Sequence, residues 1–271
     1  DTGSGYQDMG TRQVASVPVA EYAKSSGSSI SSLTFVDESN NLAIGTGALA
    51  GITTGTYNLA IGENVLNNTT TGSNNTAVGQ GALITNSSGW QNTAVGQSSL
   101  RQNRASDNTA VGNLALSNNT TGTFNTALGS SALEGNKIGA ENTAIGFYSL
   151  IAANNSGSRN TAVGASTLVE NTTGWDNVAI GTNALLQNTE GTHNTAIGTE
   201  SLVNNSDGAR NSALGPSSGR NLNTNSNDNT FIGYLADTVS GTLLNNSTAL
   251  GANALVTTSN TIQLGATNVS L

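Results

Sequence analysis

Apolar and polar positions recur along this chain with a period near 17. From Asn40 onward an Asn-Thr-Ala-aliphatic-Gly phrase returns, as in Asn75 to Gly79 and Asn92 to Gly96. Its glycines fall at Gly45, Gly62, Gly79, Gly96, Gly112, Gly129, Gly146, Gly164, Gly181, Gly198, Gly215, Gly233, Gly251 and Gly265. The steps are 16 to 18 residues, except for a last step of 14. Self-similarity at a fixed short period is the mark of a solenoid. One place before the glycine every copy carries Ile, Val or Leu, and two places before it twelve carry Ala. Three before, nine carry Thr; four before, twelve carry Asn; four after, eleven carry Leu.

Each phrase predicts a short strand, so about 14 coils. Side chains alternate along a strand, which puts Thr and the aliphatic residue on one face and Asn, Ala and Gly on the other. Thr is replaced by Leu42, Leu59, Val178 and Ile262 at its offset, and this predicts that the Thr/aliphatic face points into the coil. The small Asn/Ala/Gly face is then the outer seam, and the Leu fills the coil from its second side. A second glycine follows ten residues later, as at Gly72, Gly89 and Gly122, where a turn would visit positive φ. So thin a coil cannot bury its apolar face alone, and stacking, together with association between chains, is expected to complete the core. Fourteen strands at about 4.8 Å make a rod of roughly 60 Å.

Residues 1–39 lie outside the repeat and read as a lead-in or cap, with Pro18 demoting Val14, Val17 and Val19 to an edge or extended segment. Residues 40–271 form the repeat domain. Its pattern falters at about 215–245, where Gly219 and Asp237 stand at the Leu offset and Phe231 at the Ala offset.

Composition narrows the function. Charged residues are 9% and the formal charge is −8, with Lys plus Arg numbering 8 and scattered, which excludes a nucleic-acid surface. No run of about 18 apolar residues predicts membrane insertion. There is no cysteine, and backbone ladders are expected to hold the coils together instead. A chain that starts at Asp1 without a signal peptide is expected to be a processed or truncated piece.

The array Asn-Thr-Ala-Val-Gly-x-x-Ala-Leu resembles the head repeats of trimeric autotransporter adhesins. More closely, Asn119 to Gly129 resembles the longer repeats of trimeric tail fibres and surface fibres that carry a C-terminal endosialidase-type intramolecular chaperone. The resemblance covers about residues 40–265; Val17 to Lys24 is similar to a lead-in ahead of such fibres, and Asn260 to Gly265 to their closing phrase. It implies a left-handed parallel β-roll, intertwined or side by side as a homotrimer, in an extracellular fibre of a cell surface or phage-like particle. The implied role is adhesion to a glycan or protein receptor, or a rigid shaft. The chaperone domain, heptad stalk and anchor barrel of such proteins are not in this sequence.

Motifs of other chemistries lack their context. Asp1-Thr2-Gly3-Ser4 occurs once, with no strand before it, whereas aspartic-protease chemistry needs two such loops. Gly45 to Gly51 mimics a dinucleotide loop but is one coil of the repeat. The Asn-x-Ser/Thr triplets follow from composition. His193 is the sole histidine and occupies a slot, five before the glycine, that accepts every side-chain type, so it is expected at the surface and not on a metal. Asp107 and Glu141 share that slot two coils apart, with Phe124 between, and are the nearest approach to a glycosidase pair. No enzyme activity, cofactor or metal is expected, and a polysaccharide-degrading tailspike and an ice-binding solenoid are the alternatives. Candidate binding residues are the aromatics of the turns: Trp90 and Trp175 first, then Tyr57, Phe124, Phe147, Tyr148 and Tyr234, with His193.

Overall fold

A computed structural model describes residues 33–36, 39–152, 156–239 and 241–266. These contain strands and turns and no helix. After β1 (Leu33–Val36), the strands β2 (Asn41–Ile44), β3 (Leu59–Ile61), β4 (Thr76–Val78), β5 (Thr93–Val95), β6 (Thr109–Val111) and β7 (Thr126–Leu128) follow one per repeat. The series continues through β8 (Thr143–Ile145), β9 (Thr161–Val163), β10 (Val178–Ile180), β11 (Thr195–Ile197), β12 (Ser212–Leu214) and β13 (Thr230–Ile232). Beyond β14 (Asp237–Thr238) come β15 (Thr248–Leu250), β16 (Leu255–Val256) and β17 (Ile262–Leu264).

Fifteen strands make one sheet in the order β1 to β13, β15, β17, while β14 and β16 pair separately. From β2 to β17 the pairing is parallel and each offset stacks on itself, as in Thr76↔Thr93, Ala77↔Ala94 and Val78↔Val95. The chain is therefore a parallel β-solenoid with a period near 17 and about 13 turns. At its start β1 runs antiparallel to β2, with Leu33 opposite Ile44. The first 32 residues, Pro18 and its valines among them, lie outside the described residues.

The sheet faces the other way from the sequence expectation. The Ala of each strand is buried, at 0% exposure from Ala60 through Ala196, and its Asn neighbour is buried too. The aliphatic residue looks out: Leu128 is 48% exposed, Leu214 50% and Leu264 52%. Space decides this. Leu49 through Leu202 do fill the coil as expected, whereas Leu255 is 38% exposed, and across from a buried Leu there is room for a methyl group but not for a second branched side chain.

The Leu row carries an unexpected backbone. From Leu49 through Leu202 the Leu of each coil has φ near +50°, a left-handed conformation that costs an L-residue roughly 1 kcal/mol and β-branched residues more. That explains Leu at this offset and never Val or Ile. The phrase glycine sits at φ of about +130°, as at Gly146 (φ 132°), and a Cβ there would strike Gly164 of the next coil, so no other residue fits. The second glycines correct the expectation of positive φ: Gly72, Gly89 and Gly122 are not in that region. They are glycine because a Cβ would strike the carbonyl oxygen of the adjacent turn.

Two columns of buried asparagine run beside the apolar rows. In the first, from Asn41 through Asn229, each side-chain carbonyl accepts the backbone N–H of the next Asn at 2.8–3.1 Å. Each side-chain amide donates to a turn carbonyl one coil on, as Asn125 Nδ2 does to Gly139 at 2.8 Å. A second column, with Asn86, Asn119, Asn171, Asn188 and Asn205, ties down its own turns in the same manner. Asn fits because it supplies one acceptor and two donors where backbone groups would otherwise be orphaned.

The irregular stretch is a local adjustment inside the stack, since β12, β13, β15 and β17 stay in register through it. Phe231 is fully buried at an Ala position. It fits because the Leu position facing it is Gly219, where a Cβ would lie 2.8 Å from Phe231 Cδ2 and 2.7 Å from Leu202 Cδ2. Two departures from the repeat are one exchange of volume.

Asp237, at the next Leu position, is buried and accepts from Asn221 N at 3.0 Å, Asn221 Nδ2 at 2.9 Å and Thr238 N at 2.8 Å. Burial pushes its carboxyl up to about 6 against the pull of those donors. With the folded value above the unfolded one, the protonated form favours folding, fully below about pH 4, and that contribution is lost as pH rises through 6. The chain is accordingly expected to melt higher at pH 4.5 than at pH 7.5, and Asp237→Asn to flatten that part of the profile.

Candidate ligand-binding surface

Each coil presents the outward strand face and, at its two edges, the turns before and after the strand. The turn before the strand holds the variable slot. Its residues are left-handed, from Tyr57 (φ 58°) through Asp107 (φ 61°), Phe124 (φ 57°) and His193 (φ 57°). This directs their side chains outward, with Tyr57 and Phe124 each 61% exposed and His193 exposed as expected. No packing constraint acts there, which is why chemistry varies from coil to coil. Trp90 and Trp175 stand one residue earlier on the same edge.

The turn after the strand carries the rest. Phe147 and Tyr148 lie against each other with ring centroids 3.8 Å apart, and Tyr234 is exposed at the equivalent turn of a later coil. The eight candidates thus divide between the two edges: Tyr57, Trp90, Phe124, Trp175 and His193 on one, and Phe147, Tyr148 and Tyr234 on the other.

On the first edge, three consecutive coils build one cluster. Arg159 Nε donates to Asp176 Oδ1 at 2.7 Å, and His193 Nε2 lies 3.5 Å from Asp176 Oδ2. The Arg159 guanidinium lies 5.3 Å from the Trp175 ring, whose other neighbour is the His193 ring in edge contact at 4.4 Å. Trp175 is therefore held between a cation and an imidazole. The hydrogen bond to Asp176 raises the pKa of Arg159 further, and its equivalent between Arg210 and Asp228 lowers that of Asp228. Such exposed pairs fix side-chain positions more than they stabilise the fold.

Trp90 differs. Its indole is 50% exposed, and no ring or guanidinium among the described residues packs on it. Asp107, half-buried, and Glu141, exposed, occupy the same slot on either side of the exposed Phe124.

Two features escape a reading of the turns alone. One is the strand face, where Thr and aliphatic rows run outward along the full sheet. Val95, Leu128, Ile145, Ile180, Leu214, Ile232 and Leu250 are each more than a third exposed. The other is a recess of about 430 Å³ on the third side of the coil, bordered by Arg101 and Arg104. The signal for the first was the near-constancy of Ala and Asn, and for the second the single 16-residue step. Comparison with protein-family models, with curated proteins and with solved structures finds no match to this chain.

Proposed function

We propose that the chain is a non-enzymatic segment of an extracellular fibre, a left-handed β-roll that assembles as a homotrimer and attaches to a cell-surface glycan or protein receptor. The observation that carries this reading is the unbroken outward row of Val, Ile and Leu. A continuous apolar strip is rare on a monomer and marks a surface that is covered. Here it spans about 60 Å of stacked strands, and a rod with the same strip on every copy covers it best with itself, each chain burying its row against two others about a threefold axis. The resemblance to trimeric fibre and adhesin repeats supports the same reading, and implies a cell-surface appendage or a phage-like particle.

With the strand faces turned inward, the edge turns remain as the display surface. Each aromatic would occur three times, and weak contacts would sum by avidity. Trp90→Ala is expected to weaken attachment to receptor-bearing cells at least tenfold, and Trp175→Ala less, because Arg159 and His193 already cover its ring. Attachment unchanged in both variants would leave the chain a plain shaft.

The outward Thr row also favours a second reading, the ice-binding solenoid. It requires the same face to be bare, so a trimer argues against it, and thermal hysteresis above that of buffer would support it.

A further inference from the structure

We infer that the recess beside Arg101 and Arg104 is a subsite for an oxyanion-bearing sugar, carboxylated or sulfated, on the receptor glycan. The inference rests on the adhesive reading above. Its origin is a deletion. Gly96 to Gly112 is the only 16-residue step in the array, and the missing residue can be placed. In the regular coils the turn asparagine ties the carbonyl three residues on, as Asn86 does to Gly89 and Asn119 to Gly122. Asn103 ties Ala105, only two residues on. The turn at Arg104 is thus one residue shorter than its neighbours, and there the surface is recessed.

The lining suits a charged sugar. Ile84 contributes apolar surface, and Arg101 and Arg104 contribute two cations, while Thr85, Gln102 and Thr120 border the recess with side chains that already donate to Arg101 O, Asn118 Oδ1 and Lys137 O. These are two of only eight Lys plus Arg in an acidic chain. The other three arginines with a described ion pair, Arg159, Arg210 and Arg220, face Asp176, Asp228 and Glu200. Arg101 and Arg104 make no ion pair among the described residues. Two guanidinium forks without carboxylates, around a hollow of the size small ligands occupy, recognise an oxyanion in a planar, bidentate manner. The same shortened turn leads to the Trp90 edge, where the Trp90 backbone N–H donates to Ser106 Oγ at 3.1 Å and its carbonyl accepts from Asp107 N at 3.0 Å, but Trp90 itself does not line the recess.

The test is a printed array of uronic-acid and sialic-acid oligosaccharides, their methyl esters, their neutral parents and their sulfated counterparts, probed with the whole chain and with Arg101→Gln/Arg104→Gln. Binding to an acidic glycan, at least tenfold weaker for its ester or neutral parent and at least tenfold weaker in the double variant, is the expected result. Whether the carboxylated or the sulfated spots hold the protein identifies the anion. The variant should keep the parent melting temperature and mass, because both side chains are exposed. Equal binding to acid and ester, or binding to neutral glycans that the double variant retains, overturns the subsite while leaving the adhesive reading intact. Binding to no glycan overturns the subsite and removes the glycan half of that reading.

Discussion

Phe231→Ala is expected to destabilise the rod by about 3–5 kcal/mol, the usual cost of emptying a buried aromatic site. Gly219→Leu alone is also expected to destabilise, by about 1–3 kcal/mol, because the added side chain enters space held by Phe231 and Leu202. Together they restore the ordinary repeat, with Leu across from Ala. Gly219 already has φ +61°, close to the φ of Leu at this offset in other coils, such as Leu185 at 51°, so the backbone accepts the change. The double variant should recover to within about 1 kcal/mol of the parent, a coupling of about 3 kcal/mol or more. Urea denaturation of the four chains of this cycle measures it. Additive losses would mean that Phe231 and Gly219 do not share one volume.

Asn125→Asp is the second large effect, and it carries its own signature. Asn125 Oδ1 accepts from Asn142 N at 3.0 Å, while Asn125 Nδ2 donates to Gly139 O at 2.8 Å and to Asn108 Oδ1 at 3.2 Å. A carboxylate keeps the first interaction and turns the other two into oxygen facing oxygen, in a fully buried site. A loss of about 3–5 kcal/mol at pH 7 is expected, on the scale of an uncompensated buried charge. Protonation returns one donor. The folded-state pKa of the introduced acid lies above its unfolded value of about 3.9, so stability is greatest below that value and is lost as pH rises through the folded pKa. The variant should approach the parent near pH 4 and fall away from it toward pH 7 in thermal melts. A pH-independent deficit would show that the column does not depend on its amide donors.

Much of the fold is legible in the chain because the repeat prints each structural role many times. The period, the strand at each phrase, the parallel stacking, the inward Leu and the outward slot of Tyr57 and His193 all follow from offsets. The facing of the strand did not, and the reason is physical. Replacement of Thr by Leu42, Val178 or Ile262 reads as burial if only hydrophobicity is weighed. In a coil this thin, volume is the stronger constraint, and the rows that scarcely vary, Ala and Asn, are the ones inside. Left-handed Leu was invisible for a related reason: positive φ suggests glycine, whereas here stacking imposes it on Leu in every coil from Leu49 through Leu202. Of the binding residues, the sequence marked the aromatics, but not that Arg159 and His193 close around Trp175 while Trp90 stays open. That depends on which residues neighbouring coils place beside each ring.

The inverted strand face makes association the central claim, and mass in solution tests it directly. The chain weighs 27.2 kDa, so a trimer is three times that, about 82 kDa. Light scattering coupled to size exclusion should give that value for the parent, and a third of it for a chain in which Val95, Leu128 and Ile145 are all replaced by Glu. A parent that runs as a monomer, with its aliphatic rows bare, would contradict the account.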